Sequence, residues 1–374
     1  MEKEAVKQRA ISILSDEIVK NRLIVFVGAG CSLSAGLPLW RELVDGLLKE
    51  YHIETKDMDL LRLASRIERE VGKLKLRESI AERLRTRPEI ESPLHDKLVR
   101  LDVNLFVTTN YDHLLEDTFR KSGYSPMVIT DDKDVPAIDL GGKTIVKLHG
   151  DMDSASSMVI SKPDYTRYKT SHKGFVEWLN AIVAQNTVLF LGTSFDDPRL
   201  NDADGHVLGL FGDFRRQPFI LLKSPQKDGS APEEDFEIDL ADFEACCEDF
   251  RDRGFFVVPI DHYGEIPDIL QDVQTRALER KRQSDMSGFE SGRILQADHL
   301  AVLEKNLRGL LDEKTLQLSE HVFPSENPQI VHHALRVGHD LVVIGGARLT
   351  FLAPFRGARP IEQLMRQTPV NLIA

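Results

Sequence analysis

Between Leu23 and Ile260 the chain repeats one pattern: a short run of Val, Ile, Leu and Phe, then a longer amphipathic stretch. The runs are LIVFVG from Leu23, VNLFVTTN from Val103, TIVKLHG from Thr144, TVLFLGTS from Thr187, PFILLK from Pro218 and FFVVPI from Phe255. They show little polar alternation, as strands covered on both faces require. The helix-patterned segments HLLEDTFRKSG, GFVEWLNAIVAQ and EIDLADFEACCEDFRDRG lie between them and supply covering layers. This alternation predicts an α/β fold with a doubly wound, parallel, Rossmann-like sheet. The opening segment EAVKQRAISILSDEIVKN has apolar residues at helical spacing and is expected against the sheet edge. Residues 50–100 are helical in pattern and highly charged, and read as a helical insertion between the first two strands.

At 374 residues the chain exceeds what one core usually holds, so two domains are expected. The polar, glycine-containing stretch QSDMSGFESGR from Gln283 is the expected linker, dividing the chain into residues 1–282 and 283–374. A formal net charge of −12 argues against nonspecific binding to nucleic acid or to an anionic membrane. No apolar run is long enough to span a bilayer, and MEKEAVKQRA lacks the pattern of a signal peptide. The three cysteines, Cys31, Cys246 and Cys247, contain no CxxC pair, so a four-cysteine zinc site cannot be built from them. A cytoplasmic location follows as the expectation.

The first strand runs directly into Gly28-Ala29-Gly30-Cys31-Ser32. In a doubly wound sheet, ligands sit beyond the carboxyl ends of the strands. A glycine turn there lets backbone approach a pyrophosphate, and the helix behind it presents its amides. The same glycines would equally serve a tight strand-to-helix turn without a ligand. Three more strand ends carry small or polar residues: Thr108-Thr109-Asn110-Tyr111-Asp112, Lys147-Leu148-His149-Gly150-Asp151 and Leu191-Gly192-Thr193-Ser194. Singly, each reads as a turn former, a core histidine or a helix cap. Together they converge on one crevice.

These motifs resemble those of the sirtuin family. Gly28 to Arg41, GAGCSLSAGLPLWR, is similar to the family's glycine signature; Thr109-Asn110-Tyr111-Asp112 resembles its TQNID motif, His149-Gly150 its HG pair and Gly192-Thr193-Ser194 its GTS loop. The resemblance implies cleavage of the bond between nicotinamide and ribose in NAD. It gives Asn110 the ribose or attacking water, Asp112 the nicotinamide carboxamide and His149 the role of general base. It assigns Gly28, Ala29, Gly30, Ser32 and Arg41 to the phosphates and the closing loop, and Gly192, Thr193 and Ser194 to the phosphate or adenosine ribose from the opposite side. Deacetylating sirtuins usually carry a cysteine-bound zinc ribbon after the HG pair. Here HGDMDSASSMVISKPDYTRYKT follows, without cysteine, and resembles the zinc-free sirtuin-like domains of bacterial antiphage defence. In that group the acceptor is water, so the implied reaction is NAD hydrolysis, with no metal, held in check until a cue or partner arrives. An ATPase or Argonaute-like protein is the kind of partner the resemblance implies. Deacylation or ADP-ribosyl transfer, and a non-catalytic NAD or ADP-ribose sensor, stand as alternatives. Cys31 is expected to pack rather than react, Cys246-Cys247 to be structural, and Asp196-Asp197-Pro198 to cap a helix.

The last stretch, His321 to Ala374, resembles the C-terminal half of a universal stress protein: a helix, the DLVVIGG strand, a glycine loop, a helix and a closing PVNLIA strand. Its loop departs from the nucleotide-binding pattern, with Gly345 and Gly346 at the start, Arg348 where another glycine is common, and Gly357-Ala358 at the end. A smaller α/β unit for packing or assembly is expected, with the closing strand pairing between subunits of a homo-oligomer. His332-His333 would bind a metal only with partners that the sequence does not identify.

Overall fold

The computed structural model describes residues 2–57, 59–85, 92–138, 141–193, 216–227 and 233–290, and four strands within 317–373. The chain divides into two compact units, Met1–Lys281 and Arg282–Ala374.

In the first unit, α1 (Glu2–Val19) leads into β1 (Leu23–Val27), α2 (Gly30–Leu33), α3 (Trp40–Glu50), α4 (Leu60–Val71), α5 (Lys73–Leu84) and α6 (Pro93–Arg100). The chain continues through β2 (Leu105–Thr108), α7 (Leu114–Lys121), β3 (Met127–Ile129), β4 (Thr144–Lys147), α8 (Lys162–Ser171), α9 (Lys173–Val183) and β5 (Thr187–Leu191). Then follow β6 (Phe219–Lys223), α10 (Glu233–Asp252), β7 (Phe256–Ile260) and α11 (Ile266–Glu290). The seven strands form one parallel sheet in the order β3-β4-β2-β1-β5-β6-β7. All six expected strands are there. The seventh, β3, was not legible in the sequence: it has three residues, pairs with β4 alone and leaves Met127 exposed at the edge.

Strand alternation builds the two cores. Leu23, Val25 and Val27 point into a layer shared with Ile11 and Leu14 of α1, Leu98 of α6 and Val273 of α11. Ile24 and Phe26 point the other way, among Tyr168, Phe175, Leu179 and Phe250 from α8, α9 and α10. The opening helix lies against the edge strand β7, where Lys3 pairs with Asp261 at 2.9 Å. The insertion has its own core of Leu47, Leu63, Ile67, Leu76 and Ile80, which also takes in Tyr111. It is built on α3, α4 and α5; α6, expected as part of it, packs instead on the sheet.

Helix α11 continues to Glu290, through the start of the stretch expected as a linker. Within QSDMSGFE the single Gly288 costs a helix only about 1 kcal/mol relative to alanine. The second unit holds β8 (Gln317–Val322), β9 (Leu341–Gly345), β10 (Arg348–Ala353) and β11 (Leu372–Ile373), in the order β11-β9-β10-β8. Every pairing is antiparallel. The expected half of a universal stress protein gains no support here, because helical crossovers between its strands would give parallel neighbours. Strand β10 occupies part of the expected glycine loop, with Arg348 opposite Gly345. Gly346, Gly357, Ala358 and His332-His333 lie outside the described residues, as do Ser194 and Asp196-Asp197-Pro198.

Candidate active site

Strand register brings the motifs together. Val27 is opposite both Thr108 and Leu191, and Thr108 is opposite Lys147, so four carboxyl ends are adjacent across β4-β2-β1-β5. The loops then lock to one another. Thr108 Oγ1 donates to the Val27 carbonyl at 2.6 Å and accepts from the Asn110 amide at 2.9 Å. The Gly28 and Gly30 amides donate to the Leu191 and Gly192 carbonyls, each at 2.8 Å.

That contact gives Gly28 and Gly30 a reason that does not involve phosphate. A Cβ on Gly28 would lie 2.5 Å from the Gly192 carbonyl oxygen, and one on Gly30 would lie 2.9 Å from it. Gly192 has φ +65°, and a Cβ there would meet the Cys31 nitrogen at 2.4 Å. The glycines therefore permit two loops to touch. Gly28→Ala is expected to lower stability by about 1–3 kcal/mol through overpacking; a melting curve unchanged by the substitution would refute the contact.

The Asn110 side chain spans the crevice floor. Its Nδ2 donates to the Gly28 carbonyl and to Ser32 Oγ, both at 3.2 Å, while Oδ1 is buried with no hydrogen-bond partner among the described residues. Ser32 Oγ donates onward to Asp112 Oδ2 at 3.0 Å, and Asp112 Oδ1 accepts from the Leu114 amide at 3.1 Å at the start of α7. Both carboxylate oxygens of Asp112 are thus engaged inside the protein, beneath the turn. Arg41, in the first turn of α3, has buried Nε and Nη2 atoms likewise without partners among the described residues. Buried donors and acceptors left open in this way are rare unless a ligand completes them. Ala29 precedes α2, and Thr193 Cγ2 packs beside Gly28.

His149 is buried, with Nδ1 3.4 Å from the Tyr165 hydroxyl and the rings of Tyr165 and Tyr168 edge-on at 5.1 and 5.8 Å. Gly150 (φ +82°) makes the turn after it, where a Cβ would strike the Ser157 carbonyl at 2.3 Å. Cys31 is fully buried; burial, reinforced by Asp112, pushes its thiol up to about 12, so it is no thiolate nucleophile at neutral pH.

Sequence reasoning passed over Thr108, Tyr165, Tyr168 and, most of all, Lys147. This lysine is fully buried, with Nζ 2.9 Å from Glu116 and 2.7 Å from Asp151. Its signal was visible as a lone charge inside the apolar run TIVKLHG. The ligand atoms of His113, Glu116 and Asp151 lie within 4.8 Å of one another, a grouping able to hold a metal ion, but the ammonium already bonds two of them. Burial alone would raise the Asp151 carboxyl; the His113 hydrogen bond and the Lys147 ammonium outweigh it and hold the group well below the ordinary carboxylate range. Asp151, bonded at 2.8 Å, in turn raises the His113 imidazole. A depressed acid adds stability above its unfolded value near 3.8, and a raised histidine adds stability below its unfolded value near 6.5. The pair is therefore expected to stabilise most between these values, with loss on both sides. Melting curves against pH check this, and His113→Ala should remove the alkaline decline attributed to it.

Residues 104–241, from β2 into α10, match the family model of the SIR2-like domain. The chain is 30% identical over 285 residues to an NAD(+) hydrolase ThsA of Enterococcus faecium, covering 73% of this chain and 59% of the relative. It is 25% identical over 278 residues to an NAD(+) hydrolase ThsA of Bacillus cereus, covering 73% of this chain and 58% of the relative. A Defense-associated sirtuin 2 of Bacillus subtilis is 26% identical over 223 residues, 58% of this chain and 22% of that protein. The chain thus spans just under three-fifths of the length of the ThsA relatives in these alignments. The Gly28–Arg41 turn lies upstream of the residues that match the SIR2-like model.

Proposed function

We propose that the chain is an NAD glycohydrolase, cleaving NAD to nicotinamide and ADP-ribose, and that it serves as an antiphage effector by depleting NAD. The observation that carries this reading is the pair of open buried groups, Asn110 Oδ1 on the crevice floor and the Arg41 guanidinium on α3. A dinucleotide supplies what each lacks: hydroxyl donors for the carboxamide oxygen and phosphate oxygens for the guanidinium. The names of the relatives point to the same chemistry.

In the reaction, the C1′–N bond breaks and the positively charged nicotinamide leaves as a neutral base with the bonding pair. Water adds to the oxocarbenium-like C1′ and loses a proton. Asn110 Oδ1 accepts a hydrogen bond from the ribose or the water, and His149 takes the proton directly or through a ribose hydroxyl, a role suited to an imidazole. Arg41, with Ser32 beside the turn, orients the phosphates. Thr193 completes the far side, and Asp112 holds Ser32 in place beneath the turn. The cytoplasm is the proposed location of the reaction; among the described residues no helix is long and apolar enough to cross a membrane.

Nicotinamide release from NAD, followed with and without an acetylated peptide, tests the reading. Release without peptide is expected; release that requires peptide would instead make the chain a deacylase or ADP-ribosyltransferase. Among the described residues the short β11 pairs with β9 at the edge of the second sheet, an edge that a second copy would extend. We carry homo-oligomerisation on that basis, and light scattering showing a monomer would remove it. An ATPase or Argonaute-like partner would act as the release of restraint.

A further inference from the structure

Resting on the reading of the crevice as an NAD site, we infer that Lys147 is a positioning residue: its buried ammonium ties the loop that carries Asn110 to the loop that carries His149. The geometry is specific. Lys147 Nζ donates to the Tyr111 carbonyl at 3.1 Å and the Asp112 carbonyl at 2.8 Å, the two residues directly after Asn110. It also pairs with Asp151, two residues after His149, at 2.7 Å, and with Glu116 of α7 at 2.9 Å.

A structural ammonium needs only charge compensation, which Glu116 and Asp151 already provide. The two backbone carbonyls are a different matter, because they constrain the path of one loop from the last residue of the strand beneath the other. Lys147 ends β4, and His149 lies two residues beyond it, so one side chain refers both catalytic loops to the same point of the sheet. Asp151 carries the link outward to His113, whose Nε2 is 2.8 Å away and which lies in the same loop as Asn110 and Asp112. The two loops are joined through the ammonium inside and through the imidazole–carboxylate pair nearer solvent, beside one backbone bond from the Met152 amide to the Tyr111 carbonyl at 3.3 Å. A displacement of about 1 Å between a base and its substrate costs on the order of 100-fold in rate.

The test separates positioning from stability. Lys147→Met alone strands Glu116 and Asp151; Lys147→Met combined with Glu116→Gln restores charge balance, since Asp151 keeps His113. Positioning predicts that the double variant melts close to the parent, yet releases nicotinamide about 100-fold more slowly, and that amide hydrogen exchange rises together in 109–113 and 149–153 while β1 and α9 exchange as before. If the double variant does not fold, Lys147→Arg is measured in the same way; it keeps the charge but cannot present a compact ammonium to four oxygens. Parent-like turnover, or parent-like exchange in both loops, overturns the inference. A parent chain that releases no nicotinamide under any activating condition refutes the NAD reading instead, and the exchange measurement still decides whether Lys147 couples the loops.

Discussion

His149→Gln is expected to slow nicotinamide release from NAD by about two to four orders of magnitude, the usual worth of a positioned proton acceptor. Glutamine fills most of the imidazole's space but cannot take a proton near neutral pH. The fold around it should hold, because Tyr168 keeps its own hydrogen bond from the hydroxyl to the Leu148 carbonyl at 2.7 Å and remains fully buried. The expected result is a variant with a parent-like melting curve, parent-like NAD binding and almost no turnover. Turnover within a few-fold of the parent would show that another group removes the proton. Asn110→Ala should differ in kind. It removes the open Oδ1 and also both Nδ2 bonds, to Gly28 and Ser32, so turnover and NAD affinity should fall together.

The second large effect concerns stability. Arg77 of α5 is almost wholly buried and reaches three separate segments: Glu68 of α4 at 3.0 Å, Asp164 of α8 at 2.6 Å and the Met158 carbonyl at 3.1 Å. Asp164 Oδ2 also accepts from the Ser161 amide at 3.2 Å, so the same carboxylate organises the start of α8, the helix that carries Tyr165 and Tyr168. Arg77→Met removes the cation from Glu68 and leaves Asp164 with only the exposed Lys73, 3.2 Å away. A cost of roughly 3 kcal/mol is expected, seen as a fall in Tm of roughly 5 °C. Adding Asp164→Asn should recover part of it. A melting curve for Arg77→Met that matches the parent would mean that the helical insertion is held by its apolar core alone.

The sheet was legible because each central strand is apolar on both sides, as the division of Leu23, Val25 and Val27 from Ile24 and Phe26 makes plain. The crevice was legible because, in a parallel sheet, residues that follow the strands must gather at one edge. What the sequence could not show was partnership between loops. Gly28 and Gly30 read as room for a phosphate, yet the space beside them is taken by Gly192, more than a hundred residues away. Asp112 read as a ligand for the substrate, whereas its oxygens hold Ser32 and the first turn of α7. Lys147 drew no assignment because its four partners come from three different segments. The second unit misled for another reason: strands of similar composition form parallel or antiparallel pairs, and only their connections decide which.

The central claim is spatial, that four loops at one edge of the sheet enclose a single dinucleotide. A crystal structure with a carbocyclic NAD analogue, whose glycosidic linkage resists hydrolysis, tests it most directly. The account predicts a pyrophosphate on the Arg41 guanidinium and a nicotinamide ribose between Asn110 Oδ1 and the His149 imidazole. An analogue bound with its ribose away from both side chains, or at another part of the fold, would contradict it.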